Sequence, residues 1–143
     1  MLKKVLSRSC RRAFTLIELL VVIAIIGILI AVGSVSYTRA LKLSRDSKRK
    51  TDLEQVRQTL ETYRSDIHTY PIATGAIPSL LSPDYITTIP TDPKSTGQYS
   101  YMSSTGSDYF LCASLETGSS SASPSCASLS CGTGVCNYFV SRP

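Results

Sequence analysis

The chain has 143 residues, 43% of them hydrophobic, which is room for one modest domain and not two. Five of its fifteen basic residues precede Phe14 and every Asp and Glu follows it, leaving ten bases against ten acids, so the formal +5 is no sign of nucleic-acid affinity. No nucleophile, metal-ligand or phosphate-loop pattern is present, the single His68 reads as a surface residue beside a helix end, and an enzyme, a cofactor and a metal are all read as absent.

Residues 1–13 read as a targeting leader, with Lys3, Lys4, Arg8, Arg11 and Arg12 as its charges. From Phe14 to Val35 runs a nearly unbroken apolar stretch of 22 residues, interrupted by Glu18. As a helix it spans roughly 33 Å at ~1.5 Å per residue, enough for a hydrocarbon core of about 30 Å. A basic flank before such a run places the N-terminus in the cytoplasm and sends the remainder outward. Ala31-Val32-Gly33 before Ser34 would serve as an ordinary signal-peptide cut, but Glu18 breaks the uncharged region such a peptide needs.

The stretch Phe14-Thr15-Leu16-Ile17-Glu18-Leu19, followed by Ile25-Ile26-Gly27-Ile28-Leu29, resembles the N-terminus of the type IV pilins and of the related pseudopilins of type II secretion. The resemblance is strong over residues 8–40, weaker to about Pro71 and architectural beyond. It implies a prepilin peptidase that cuts between Ala13 and Phe14 and methylates the new amine of Phe14. The family usually has Gly where this chain has Ala13, the next smallest residue. It also implies that Glu18 of one subunit meets the Phe14 amine of its neighbour as helices stack into a filament at an inner-membrane assembly platform. A carboxylate near a helix start is favoured by the dipole, and intramembrane carboxylates are functional by default. Gly27, Ala24 and Ala31 are small enough to let helices approach closely.

No Pro or Gly occurs from Ser36 to Ile67, so one helix is predicted from Phe14 to about Asp66. Many pilins carry a Pro where this chain has Val35, and its absence predicts a smoother helix, with Gly33-Ser34 as a soft point. Leu53, Val56, Leu60, Tyr63 and Ile67 step by 3 and 4 and form one apolar face. Arg45, Lys48, Arg49 and Lys50, diluted by Asp46 and Asp52, read as a solvated face. Tyr70-Pro71 is the predicted stop. Residues 71–97 read as a turn-rich connection with one helical turn near Leu80-Leu81, and Asp92-Pro93 with Gly97 as a turn. Asp84, Asp92 and Asp108 are too scattered for a metal site. Strands are predicted at 98–104 and 108–116, then a Ser-rich loop at 117–125, then a last strand at 137–140.

The resulting division is a leader (1–13), a transmembrane and assembly helix (14–36), its amphipathic continuation (37–67) and a small disulfide-containing region (68–143). The fold class is α+β, a long N-terminal helix on a small antiparallel sheet. Cys10 lies in the leader. Cys112, Cys126, Cys131 and Cys136, four in an exported domain with a thin core, predict two disulfides. Three pairings are open, with Cys131 and Cys136 spaced to close a tight loop. The Cys spacing does not fit common zinc sites.

These readings converge on a membrane-anchored structural subunit that forms a homopolymer or co-assembles with other pilins. A subunit of a type II secretion pseudopilus or of a DNA-uptake pilus is the alternative, although the Trp and Gly that major secretion pseudopilins carry after an Asp-Pro are missing at Pro93-Lys94-Ser95. A module binding DNA through exposed Tyr and the Lys42–Lys50 stripe is a minority reading, because the processed chain is neutral.

Overall fold

The computed structural model describes residues 14–118 and 122–142; the leader with Ala13, and Ser119–Ser121 of the predicted Ser-rich loop, lie outside the described residues. The first helix, α1, runs Leu16–Ile67 through Gly33 and Ser34 without a break. The chain divides between Thr38 and Arg39 into two compact units.

In the first unit no described residue is buried, and Phe14, Leu16, Ile17 and Ile28 are all at least 66% exposed. The Ser34 hydroxyl donates to the Ile30 carbonyl at 2.8 Å and that of Thr38 to Val35 at 3.0 Å, so these polar groups are satisfied within the helix itself. That lets a hydroxyl sit at the end of an apolar segment without an unpaired donor.

The second unit joins the remainder of α1 to a four-stranded antiparallel meander. Its strands are β1 (Ala73–Gly75), β2 (Ser100–Ser103), β3 (Phe110–Ala113) and β4 (Tyr138–Ser141), in the order β1-β2-β3-β4. Register pairs Thr74 with Met102, Tyr101 with Leu111 and Leu111 with Val140. Alternation then sends Tyr101, Leu111 and Val140 to one face, where they meet Leu53, Val56 and Leu60 of α1. Leu53 and Leu60 are wholly buried, and each contributes about 1.5–3 kcal/mol. Tyr63 packs at the edge of this core, but Ile67 is half exposed, because the helix ends there.

α1 stops earlier than Tyr70-Pro71: His68 adopts φ +66°, the left-handed conformation that closes helices, while its N–H still bonds the Arg64 carbonyl at 2.7 Å. A 3-10 turn at Ser79–Leu81 sits where the helical turn is predicted, and a second, Pro124–Cys126, lies in the segment read as loop. β1 falls inside the stretch read as pure connection. Three residues between Pro71 and Pro78 are too few to show a period, and only their pairing with β2 makes them a strand. β2 and β3 are shorter than predicted, and β4 matches its predicted length, shifted by one residue.

Four Tyr fill the core and each hydroxyl finds a partner. Tyr99 donates to Asp52 at 2.7 Å, Tyr101 to the Pro71 carbonyl at 2.6 Å, and both Tyr70 and Tyr109 to Glu61 at 3.0 Å. Burial first, and then the carboxylates that accept from them, push Tyr99 and Tyr109 far above the ordinary phenol value; burial alone dominates at Tyr101, pushed up to about 12. Tyr70, Tyr99, Tyr101 and Tyr109 are therefore not the exposed rings that DNA stacking requires.

The other face of β3 carries Cys112, bonded to Cys126, beside a second disulfide between Cys131 and Cys136. A bridge across a sequence separation of 14 residues stabilises by about 3 kcal/mol on the loop-closure account. Gly132, at φ +75°, lies where an added Cβ would run into the Thr96 carbonyl, and its backbone bridges to Gly97. The small disulfide loop is thus pressed against the 92–97 turn.

Candidate functional site

The start of α1 is capped from within. Thr15 precedes the helix, and its hydroxyl accepts the Glu18 N–H at 3.3 Å. The Glu18 carboxylate reaches back and takes the Thr15 N–H and hydroxyl, both at 2.9 Å and both on Oε2. This reciprocal arrangement is a capping box, and its signature, Thr15-x-x-Glu18, stands in the sequence. It holds Glu18 in one rotamer one turn from Phe14. Oε1 makes no hydrogen bond among the described residues, so the carboxylate caps its own helix and still offers an oxygen outward.

The cluster read as a solvated face is different in the second unit. Arg49 is 2% exposed and Asp46 3% exposed, so neither is solvated. The Arg49 guanidinium forks onto Asp92, Nε to Oδ2 at 2.8 Å and Nη2 to Oδ1 at 2.9 Å, while Nη1 donates to Asp46 at 2.7 Å and to Glu116 at 3.2 Å. Arg45 adds a second fork onto Glu116, at 2.6 and 2.8 Å. Asp46 in turn accepts the N–H groups of Glu116 and Thr117 and the Thr117 hydroxyl. The cluster thus ties α1 to the 92–97 turn and to the segment after β3. Such a pair is stabilising only when further hydrogen bonds satisfy its remaining groups; here Arg49 donates four and Asp46 accepts four. Lys48 and Lys50 do remain on the exposed face.

Hydrogen bonding from Arg45 foremost, and then from Arg49, holds the Glu116 carboxyl down at about 2. At Asp46 burial pushes upward, but the Thr117, Glu116 and Arg49 hydrogen bonds outweigh it and the carboxyl lies below its usual value. Both carboxyls are lowered on folding, so their stabilisation is complete above the unfolded values near 4 and is lost as pH falls through the folded ones. The melting temperature of the domain should therefore be flat from pH 7 to about 5 and fall steeply between pH 4.5 and 2. A melting temperature unchanged down to pH 3 would show that the cluster does not stabilise the fold.

Among the described residues no group of His, Cys, Asp and Glu is arranged to hold a metal ion, and Asp84, Asp92 and Asp108 are not brought together. Asp92 is spent on Arg49. A cavity of about 60 Å³ beside Arg49, Asp92 and Glu116 has room for a water or two and not for a cofactor.

Residues 8–34 match the prokaryotic N-terminal methylation motif. Two sequences of the type IV major fimbrial protein FimA from Dichelobacter nodosus are each 40% identical over 55 residues, 38% of this chain and 35% of theirs. Over its N-terminal segment the chain is similar to the type IV pilins. It spans about a third of the length of the curated relatives it matches, so the likeness speaks for the N-terminal segment. No solved structure matches the chain. The α+β arrangement of the pilin-like fold, one long apolar N-terminal helix with a small antiparallel sheet, rests on the structure itself. α1 is long and apolar enough to cross a membrane.

Proposed function

We propose that the chain is a structural subunit of a type IV pilus-like filament. One observation carries this reading: the methylation motif coincides with the apolar N-terminal segment of α1, residues 16–38, none of which is buried within the chain. Apolar surface of that extent needs a partner, first lipid and then the same helix of other subunits. The leader 1–13 is removed by a prepilin peptidase between Ala13 and Phe14, and the amine of Phe14 is methylated. Residues 14–36 anchor the subunit in the inner membrane with the leader on the cytoplasmic side. Residues 37–67 carry the globular region 68–143 outward.

The assembly platform stacks these helices, and Glu18 pairs with the Phe14 amine of the neighbour through its unused oxygen. The chemistry is packing and one ion pair, not catalysis. The name of the two relatives, major fimbrial protein, favours a pilus over the secretion pseudopilus or DNA-uptake pilus, which are built from the same class of subunit.

The N-terminal residue and intact mass of the protein from cell membranes test the processing. Phe14 carrying one added methyl group is expected. Ser34 at the N-terminus would make it an ordinary secreted protein, and an intact Met1 a plain anchor; either overturns the reading.

A further inference from the structure

Most charged groups of the unit beginning at Arg39 are held, by one another or by Tyr side chains. Beyond the Arg49 cluster, Arg57 pairs with Glu54 at 2.7 Å and Arg142 with Asp108 at 3.4 Å. Asp52 and Glu61 are taken by core Tyr hydroxyls. Arg64 lies over the Tyr70 ring at 4.9 Å, and Lys50 over Tyr138 at 5.5 Å.

The charges left over, among the described residues, separate by position. Arg39 and Lys42 stand exposed on adjacent positions of one helix face at the start of the unit, with Lys48 on another face. Asp66 and Asp84 stand exposed at the other end of the helix. The Tyr85 ring packs edge-on against Tyr63 at 5.2 Å, which brings Asp84 beside the helix turn carrying Asp66. Burial, and then the nearby charge of the Asp66 carboxylate, raise the Tyr85 pKa. Arg64, the nearest cation on the helix, is turned away to Tyr70. Two carboxylates flanking a half-buried aromatic ring form a receptor for a cation.

Lys42 and Asp66 are about 36 Å apart along the helix at ~1.5 Å per residue, too far to meet within one subunit. We infer that the Asp66–Tyr85–Asp84 end of one subunit receives Arg39 and Lys42 of a second copy displaced along the helix axis. This rests on the filament reading. A contact between two different ends is heterologous and does not close on itself, so it generates an open array. It adds an axial constraint between globular regions to the register that the Glu18–Phe14 pair sets in the helix bundle. The ring supplies the apolar platform and the two carboxylates supply the charge.

Carbodiimide treatment of membranes and filaments from cells making the full-length protein tests this, since the reagent joins Lys to a carboxylate only where the two form an ion pair. Peptide mapping should find Lys42 joined to Asp66 or Asp84. Reversing the basic end (Arg39→Glu with Lys42→Glu) or the acidic end (Asp66→Lys with Asp84→Lys) should cut filament yield at least about tenfold, and combining all four should restore most of it. Wild-type filaments with no such cross-link and indifferent to both reversals would overturn the contact and leave the filament reading standing. A cross-link in membranes of cells that make no filament would overturn the filament reading and leave the contact. Absence of both overturns both. Loss on reversing only the basic end, with no cross-link and no restoration, would place Arg39 and Lys42 on anionic lipid headgroups and overturn the inference.

Discussion

Replacing Arg49 by Ala should destabilise the globular unit by about 3–5 kcal/mol, the cost of leaving buried charge without its partner. The carboxylates of Asp46 and Asp92 are each no more than 4% exposed, and both face the same guanidinium. With it gone they retain backbone and hydroxyl donors but lose their counter-charge. A unit of this size has about 5–15 kcal/mol in hand, so such a loss is a large fraction of the whole. Arg49→Lys should cost less, about 1–2 kcal/mol, because the charge survives while the double fork onto Asp92 does not. Urea unfolding of the full-length protein in detergent, followed by tyrosine fluorescence in a chain with no Trp, measures both. An Arg49→Ala midpoint within about 0.5 kcal/mol of wild type would mean that the cluster is incidental to the fold.

The Arg49 cluster also marks where the sequence stops being readable. The apolar run from Phe14 to Val35 is legible from composition, and Leu53, Val56 and Leu60 from their spacing, because both signals are local. Arg49 and Asp46 stand three apart on a helix, a spacing that ordinarily means an exposed pair. Their burial is decided by Asp92 and Glu116, which lie 43 and 67 positions from Arg49 and arrive only when the sheet forms. The same holds for Tyr: four of eight are buried because Asp52, Glu61 and the Pro71 carbonyl accept their hydroxyls, a fact of assembly and not of spacing. The pairing of Cys112 with Cys126 likewise follows from assembly, whereas the Cys131–Cys136 bridge agrees with the spacing that singled these two out. Thr15-x-x-Glu18 is the opposite case, a local signature that is present and that a reading centred on the charge of Glu18 passes over.

That signature shapes the second large effect, expected at Glu18. Glu18→Ala removes two roles at once, the carboxylate of the cap and the ion-pair partner proposed for the neighbouring Phe14 amine. Filament on the cell surface should fall about a hundredfold or more, with membrane insertion and cleavage before Phe14 unchanged. Glu18→Gln separates the roles. A Gln oxygen still accepts from the Thr15 N–H, so the capping box and the helix start survive while the charge is lost. If the ion pair drives assembly, Gln should fail nearly as completely as Ala, because the neighbour's amine then enters the bundle uncompensated and each added subunit meets the same penalty. If the cap is what matters, Gln should assemble at close to the wild-type level and Ala should not. Immunoblots of sheared surface filament, normalised to the membrane pool of processed protein, distinguish the two. Full assembly of the Gln variant would remove the charge from the mechanism and leave Glu18 as a residue that shapes the end of its own helix.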